Sequence, residues 1–266
     1  SNLNEDHETG VIASAPGFPD AVKTTVARET LAAGHTMRLD LATTDMVWDP
    51  VGGRIYASVP PAAGEPYANH VVAIDPLTQQ ITASVAVDQD PGQLALTRGG
   101  EALYVVTKGG ERISKIALPG FTVESSFPVG TDSYFGLLAS QDICTVEGQP
   151  DVIVVSRYLK NYYESNDSVV VFDHGVARPL KFAGGNGGIY RIEPSADPAI
   201  FFGYTNWGVG VGFRKFQLGA GGITLLESDP YLIAYGRISD IRSDGNIVFS
   251  QTGSVVNGMK MLRLGS

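Results

Sequence analysis

The four histidines, His7, His35, His70 and His174, are the side chains whose ordinary ionisation lies nearest neutral pH, so they are the first place to look for proton transfer. A catalytic pair would need two of them to converge. His70 stands beside one apolar run and His174 lies in the turn Asp173-His174-Gly175, on opposite sides of equivalent runs, which argues for ordinary surface histidines. Acidic residues offer a second chemistry. Asp88 and Asp90 in Asp88-Gln89-Asp90-Pro91-Gly92, then Asp132, then Asp229-Pro230 recur in matching connections. One reading is that each carboxylate caps its own turn. The sharper one is a ring of carboxylates able to hold calcium through oxygen ligands. The single Cys144, in Ile143-Cys144-Thr145-Val146, rules out an intrachain disulfide and a cysteine-based zinc site, and reads as a small buried hydrophobe. No G-x-S-x-G, H-E-x-x-H, Walker A, EF-hand or C-x-x-C pattern occurs, and the run Gly184 to Gly188 reads as a connection rather than a phosphate cradle. Asn166-Asp167-Ser168 matches a glycosylation acceptor at the frequency expected by chance.

The elements that carry these residues are strands. With 32 Gly and 15 Pro among 266 residues, long helices are interrupted almost everywhere, while Val, Ile, Tyr, Phe and Thr gather in runs of four to eight. The runs repeat. Tyr56, Tyr104, Ile153, Phe201 and Val248 occupy the same place in five similar segments, at intervals of 48, 49, 48 and 47 residues. Within a period a short strand precedes this landmark strand, and a third and a fourth follow, as in Val71 to Ile74 and Gln80 to Val87. Four antiparallel strands per period predict an all-β fold, a β-propeller of four-stranded antiparallel blades with five blades visible. The first two strands of each blade should be buried on both faces and the outer two half-wet, so Trp48, Tyr56, Tyr104 and Phe201 are assigned to packing between blades.

Residues 1–34 form an N-terminal arm, and the propeller spans 35–266 with repeats near 45–90, 91–135, 136–190, 191–236 and 237–266. The last copy is expected to open with a strand from Ile238 to Ile241 and to end after its third strand, Met259 to Leu264. His35 to Leu41 would then supply the missing fourth strand and tie the ends together. The chain starts at Ser1-Asn2 with no leader, as expected of a processed or cloned fragment.

The net charge of -9, from 19 basic and 28 acidic residues, disfavours nucleic acid and anionic lipid as partners. No run of 18 apolar residues is present, so no membrane insertion is expected.

Leu103-Tyr104-Val105-Val106-Thr107, Gly203-Tyr204-Thr205-Asn206 and Val71-Val72-Ala73-Ile74-Asp75-Pro76 with Thr78 resemble the YVTN-type β-propeller repeat of bacterial secreted and cell-surface proteins. So do Asp45 to Pro50 and Arg54 to Val59. The resemblance covers residues 35–266 and implies export to the periplasm, the cell surface or the medium of a bacterium. It implies about seven blades, against five visible here.

In a propeller, the loops joining the second strand to the third emerge on the same face as the crossovers between blades. Here those loops carry Tyr67, Tyr158, Tyr162, Tyr163 and Trp207, and the crossovers carry Tyr134, Phe135, Tyr190 and Tyr231 beside Asp90 and Asp132. Turns on the opposite face, such as Gly52-Gly53 and Asp244-Gly245, carry no aromatic residue. The expected function is a noncatalytic binding module whose aromatic and acidic loop face takes a glycan or a protein surface. The alternatives are a metal-assisted lactonase or lyase at the channel mouth using Asp90, Asp132 and His70, and an architectural spacer joined to other domains of a larger chain.

Overall fold

Runs rich in Val, Ile, Tyr and Phe, bounded by Gly, Asp and Pro, fold as antiparallel strands throughout this computed structural model. It describes residues 8–9, 27–28, 38–118, 120–162, 166–183, 189–205, 212–233 and 240–265. Strands β1 (Glu8–Thr9) and β2 (Ala27–Arg28) pair with one another. The first sheet runs in chain order through β3 (Asp45–Asp49), β4 (Arg54–Val59), β5 (His70–Ile74) and β6 (Ile81–Ala86). The second comprises β7 (Leu94–Leu96), β8 (Ala102–Thr107), β9 (Arg112–Ala117) and β10 (Thr122–Pro128). The third has six members: β11 (Thr131–Asp132), β12 (Gly136–Val146), β13 (Gln149–Leu159), β14 (Asn166–Asp173), β15 (Val176–Ala177) and β16 (Phe182–Ala183), the last two both pairing with β14. The fourth holds β17 (Arg191–Pro194), β18 (Ile200–Thr205), β19 (Gly212–Gly219) and β20 (Gly222–Asp229). The fifth holds β21 (Ile241–Asp244), β22 (Ile247–Ser250), β23 (Val255–Asn257) and β24 (Leu262–Gly265). Each sheet is an antiparallel meander, as in a propeller blade.

The chain divides into two compact units. One comprises Ser1–Leu96, Gly100–Gly109 and Ser114–Ser125, the other Thr97–Gly99, Gly110–Ile113 and Ser126–Ser266. In the first unit Tyr56, Val71 and Ala73 pack against Leu94, Leu103, Val105 and Ile116. Tyr56 stacks on Phe121 with ring centroids 5.5 Å apart and donates its hydroxyl to Asp49 at 3.3 Å. Burial, then the neighbouring Asp49 charge, pushes its phenol up to about 12, so it stays protonated at neutral pH and serves packing.

In the second unit the alternation of β18 sends successive side chains to opposite neighbours. Phe201 joins Val152, Val154, Val169 and Val171 of the third sheet, while Ile200, Phe202 and Tyr204 join Ile241, Val248 and Val256 of the fifth. Each such aromatic or aliphatic side chain contributes about 1.5–3 kcal/mol of burial free energy. Cys144 sits among the valines of the third sheet, where burial raises its thiol pKa, consistent with a packing role.

Three expectations need correction. The final sheet supplies its own fourth strand: Met259 to Leu264 is no third strand, because Gly258 to Met261 turn, with Lys260 N–H donating to the Asn257 side chain at 3.0 Å and Met261 at φ 48°. Met259 and Met261 looked like strand residues because they pack on the core from that turn. The position assigned to His35 to Leu41 is therefore taken by β24, and Arg38 to Leu41 form no strand, while residues 35–37 lie outside those described. Second, β21 starts at Ile241, where the first strand of the last copy was expected to end; residues 234–239 lie outside those described. Third, the third strands differ among themselves: β5 and β14 are buried over most of their length, whereas β9, β19 and β23 mix buried with half-buried or exposed positions, and the fourth strand β6 alternates throughout.

Candidate functional site

Asp132 opens a tight hairpin between β11 and β12. Its Oδ1 accepts the backbone N–H groups of Tyr134 and Phe135, both at 2.8 Å. Those two bonds, Phe135's first, hold its carboxyl below the usual carboxylate range. The carboxylate therefore caps the turn, the first of the two readings of this residue. Capping fixes the direction of the two rings that follow. Tyr134 meets Phe135 edge-on at 4.8 Å between centroids, and Phe135 meets Tyr162 in the same way at 4.8 Å. Tyr162 is brought there by the end of β13, where Lys160 N–H donates to Leu137 at 3.0 Å and Tyr162 N–H to Leu159 at 3.1 Å. Lys160 Nζ is anchored on Glu111 at 2.6 Å. The result is a row of three rings at the surface, with Tyr134 86% exposed and Tyr162 54% exposed, flanked by exposed Leu137.

The crossover after β20 repeats the device. Asp229 Oδ1 accepts Tyr231 N–H at 2.7 Å and leaves Tyr231 85% exposed, while Leu232 and Ile233 turn into the core. Of the other residues singled out from sequence, Tyr158 is half-buried on β13 opposite Ala139. Tyr190 is half-buried and donates its backbone N–H to Tyr204 at 2.9 Å. Tyr163 and Trp207 lie outside the described residues. In the first unit Tyr67 packs on the core cluster around Met46 and Ile55. Asp90 donates its backbone N–H to the Asn69 side chain at 3.1 Å. The structure thus brings together Asp132, Tyr134 and Tyr162, with Phe135.

The histidines bond to their own neighbourhoods: His70 Nδ1 lies 2.8 Å from the Ala68 carbonyl, and His174 lies between Asp173 and Asp151 at 2.8 and 3.4 Å. Among the described residues no group of three or more His, Cys, Asp or Glu side chains is placed to hold a metal ion.

A second concentration of polar groups escaped the sequence reading. It lies on the first strands β12, β17 and β21, which are neighbours in the second unit. Asp142 Oδ2 accepts Ile192 N–H at 2.8 Å. Arg191 donates to Asp240 at 2.8 Å, and Arg242 donates to Glu193 at 2.9 Å while its other nitrogen lies 3.4 Å from Asp240. Glu193 also accepts Ser243 N–H at 3.2 Å. Burial pushes Asp142 up to about 6 and Glu193 up to about 7, against the opposing pull of Arg191 and Arg242. In the first unit Asp45 does for β7 what Asp142 does for β17, accepting Leu94 N–H at 2.9 Å. A signal was present: Asp45 and Asp142 each stand eleven residues before their landmarks, Tyr56 and Ile153.

No family model matches the sequence, and no curated protein does. Solved structures do. The chain is similar to hydrazine synthase of Kuenenia stuttgartiensis at 17% identity and TM-score 0.58, over 85% of this chain and 59% of that one. It is similar to a functionally unknown protein of Desulfotomaculum acetoxidans DSM 771 at 14% identity and TM-score 0.63, over 86% and 70%. It is also similar to the β-propeller domain of Cps50 (Swd1) from Myceliophteria thermophila at 12% and TM-score 0.58, over 82% and 65%. The chain therefore spans between about three fifths and seven tenths of these proteins' lengths. At such identities the likeness concerns fold alone, and together with the meandering sheets it makes the chain a β-propeller. No helix among the described residues is long and apolar enough to cross a membrane.

Proposed function

We propose that this propeller is a noncatalytic binding module of an exported bacterial protein, of the YVTN-type kind that its repeats resemble, and that it takes a glycan or protein surface on the ring row Tyr134, Phe135 and Tyr162. The observation that carries the reading is that row. Most aromatic side chains of the strands are buried, whereas these stand out in solvent in a fixed mutual geometry. The Asp132 cap orders the rings before any ligand arrives, which lowers the entropic cost of binding. Tyrosine supplies wide, amphipathic contact area, suited to a sugar face or to the centre of a protein interface. The net charge of -9 favours neutral or basic partners over polyanions.

The test is a glycan array and a panel of surface-protein fragments probed with the full chain and with a Tyr134→Ala/Tyr162→Ala variant. Loss of two central rings is expected to weaken binding at least about thirtyfold, on the scale of 2 kcal/mol or more for an aromatic anchor. Circular dichroism should be unchanged, because neither ring belongs to the core clusters. A variant that binds the same ligand with the same affinity as the parent would remove the proposal.

A further inference from the structure

We infer that the cluster of Asp142 and Glu193 with Arg191, Asp240 and Arg242 is a proton-operated latch, which holds strands β12, β17 and β21 together more tightly as the surroundings become acidic. The inference does not depend on the binding reading and concerns different residues.

The geometry comes first. Three blades meet here through side chains that reach across one repeat, with partners 49 or 50 positions apart in sequence. Among the described residues the groups facing Asp142 and Glu193 come from three strands, and the Ile192 N–H donates to Asp142. From β12 comes the Cys144 thiol; from β17, Arg191; from the β21 side, Asp240, Arg242 and the Ser243 N–H. A guanidinium group is a positively charged donor. Arg191, Asp240 and Arg242 keep 31%, 37% and 58% of their side chains exposed, so water screens part of their charge, whereas burial penalises an uncompensated charge on Asp142 and Glu193. Glu193 is buried and Asp142 half-buried, and protonation of these two carboxyls relieves that penalty.

The sign follows from linkage. Both carboxyls are raised in the folded chain, to about 6 for Asp142 and about 7 for Glu193, above their ordinary values of 3.8 and 4.5. Between those limits the folded state binds more protons than the unfolded one, so stability falls as pH rises. The contribution is full below about pH 4 and is lost as pH climbs through 6 and 7. Asp75, Asp132 and Asp173 work in the opposite sense, since hydrogen bonds hold them below 3.8, and they act only at more acid pH.

The donors to the two carboxyls give a local readout. In proton–nitrogen correlation spectra of the full chain, the amide of Ile192 is expected to titrate with a midpoint near pH 6 and that of Ser243 near pH 7. In urea, the unfolding equilibrium constant should rise at least about tenfold from pH 5 to pH 8, as a shift of one pKa unit already requires. In an Asp142→Asn/Glu193→Gln variant that dependence should largely disappear. If both amides stay flat between pH 5 and 8, or if the double variant keeps the parent's pH dependence, the latch is overturned. Should the variant fail to fold, the amide titrations of the unaltered chain decide alone.

Discussion

Replacing Arg157 by Ala is expected to destabilise the second unit by about 3–5 kcal/mol, the scale for breaking a buried ion pair. Arg157 leaves β13 almost fully buried and spends its guanidinium on three partners. Nη2 meets Asp167 Oδ2 at 3.0 Å, Nε and Nη2 reach the Ser168 hydroxyl at 3.2 and 2.8 Å, and Nη1 donates to the Val129 carbonyl at 3.1 Å. Truncation would leave the Asp167 carboxylate without its cation and the Val129 carbonyl without that donor, both in poor contact with water. Lysine, a point charge on a flexible stem, cannot make the fork, so Arg157→Lys should recover less than half of the loss. An Arg157→Met/Asp167→Asn variant should be more stable than Arg157→Ala, because no unpaired charge remains. Urea unfolding at pH 7 measures all three, and a loss below about 1 kcal/mol for Arg157→Ala would contradict the account.

Gly222→Ala is expected to cost about 3 kcal/mol or more, from overpacking and from backbone strain together. Gly222 opens β20 at φ 136°, and a Cβ built there would lie 1.9 Å from the carbonyl oxygen of Leu180. That carbonyl cannot swing aside freely. It accepts Ile223 N–H at 3.2 Å, while Leu180 N–H donates to Gly221 at 2.8 Å, so the segment between β15 and β16 is stitched to the turn that begins β20. Gly253→Ala separates the two causes, since Gly253 also has positive φ, 88°, but an added Cβ meets nothing within 4 Å. It should cost only about 1 kcal/mol, the conformational share. Equal melting temperatures for the two variants would show that the stitch at Leu180 carries no stability.

The spacing of Tyr56, Tyr104, Ile153, Phe201 and Val248 determined the all-β fold, because the landmark strands other than β22 are buried over most of their length on both faces and a local run of apolar residues suffices to write that into the chain. Turn chemistry was equally local: an Asp two residues before Tyr134 or Tyr231 can cap only its own turn, so the capping at Asp132 and Asp229 could be read directly. What the tertiary structure decided lies in contacts between repeats. Met259 and Met261 read as a strand, since an apolar side chain looks the same whether it packs from a strand or from a turn, and only the sheet pairing assigns the fourth strand to Leu262–Gly265. Tyr67 and Tyr134 are one residue type in comparable loops, yet one packs on the core and the other stands in solvent, because exposure depends on which chain segments lie above the ring. The cluster of Asp142, Arg191, Glu193, Asp240 and Arg242 is the extreme case. No two of its linked members belong to the same blade, except Arg242 and Asp240. The desolvation of Asp142 and Glu193, and hence their raised pKa values, come into being only when neighbouring blades close over charges that each strand alone would leave in water.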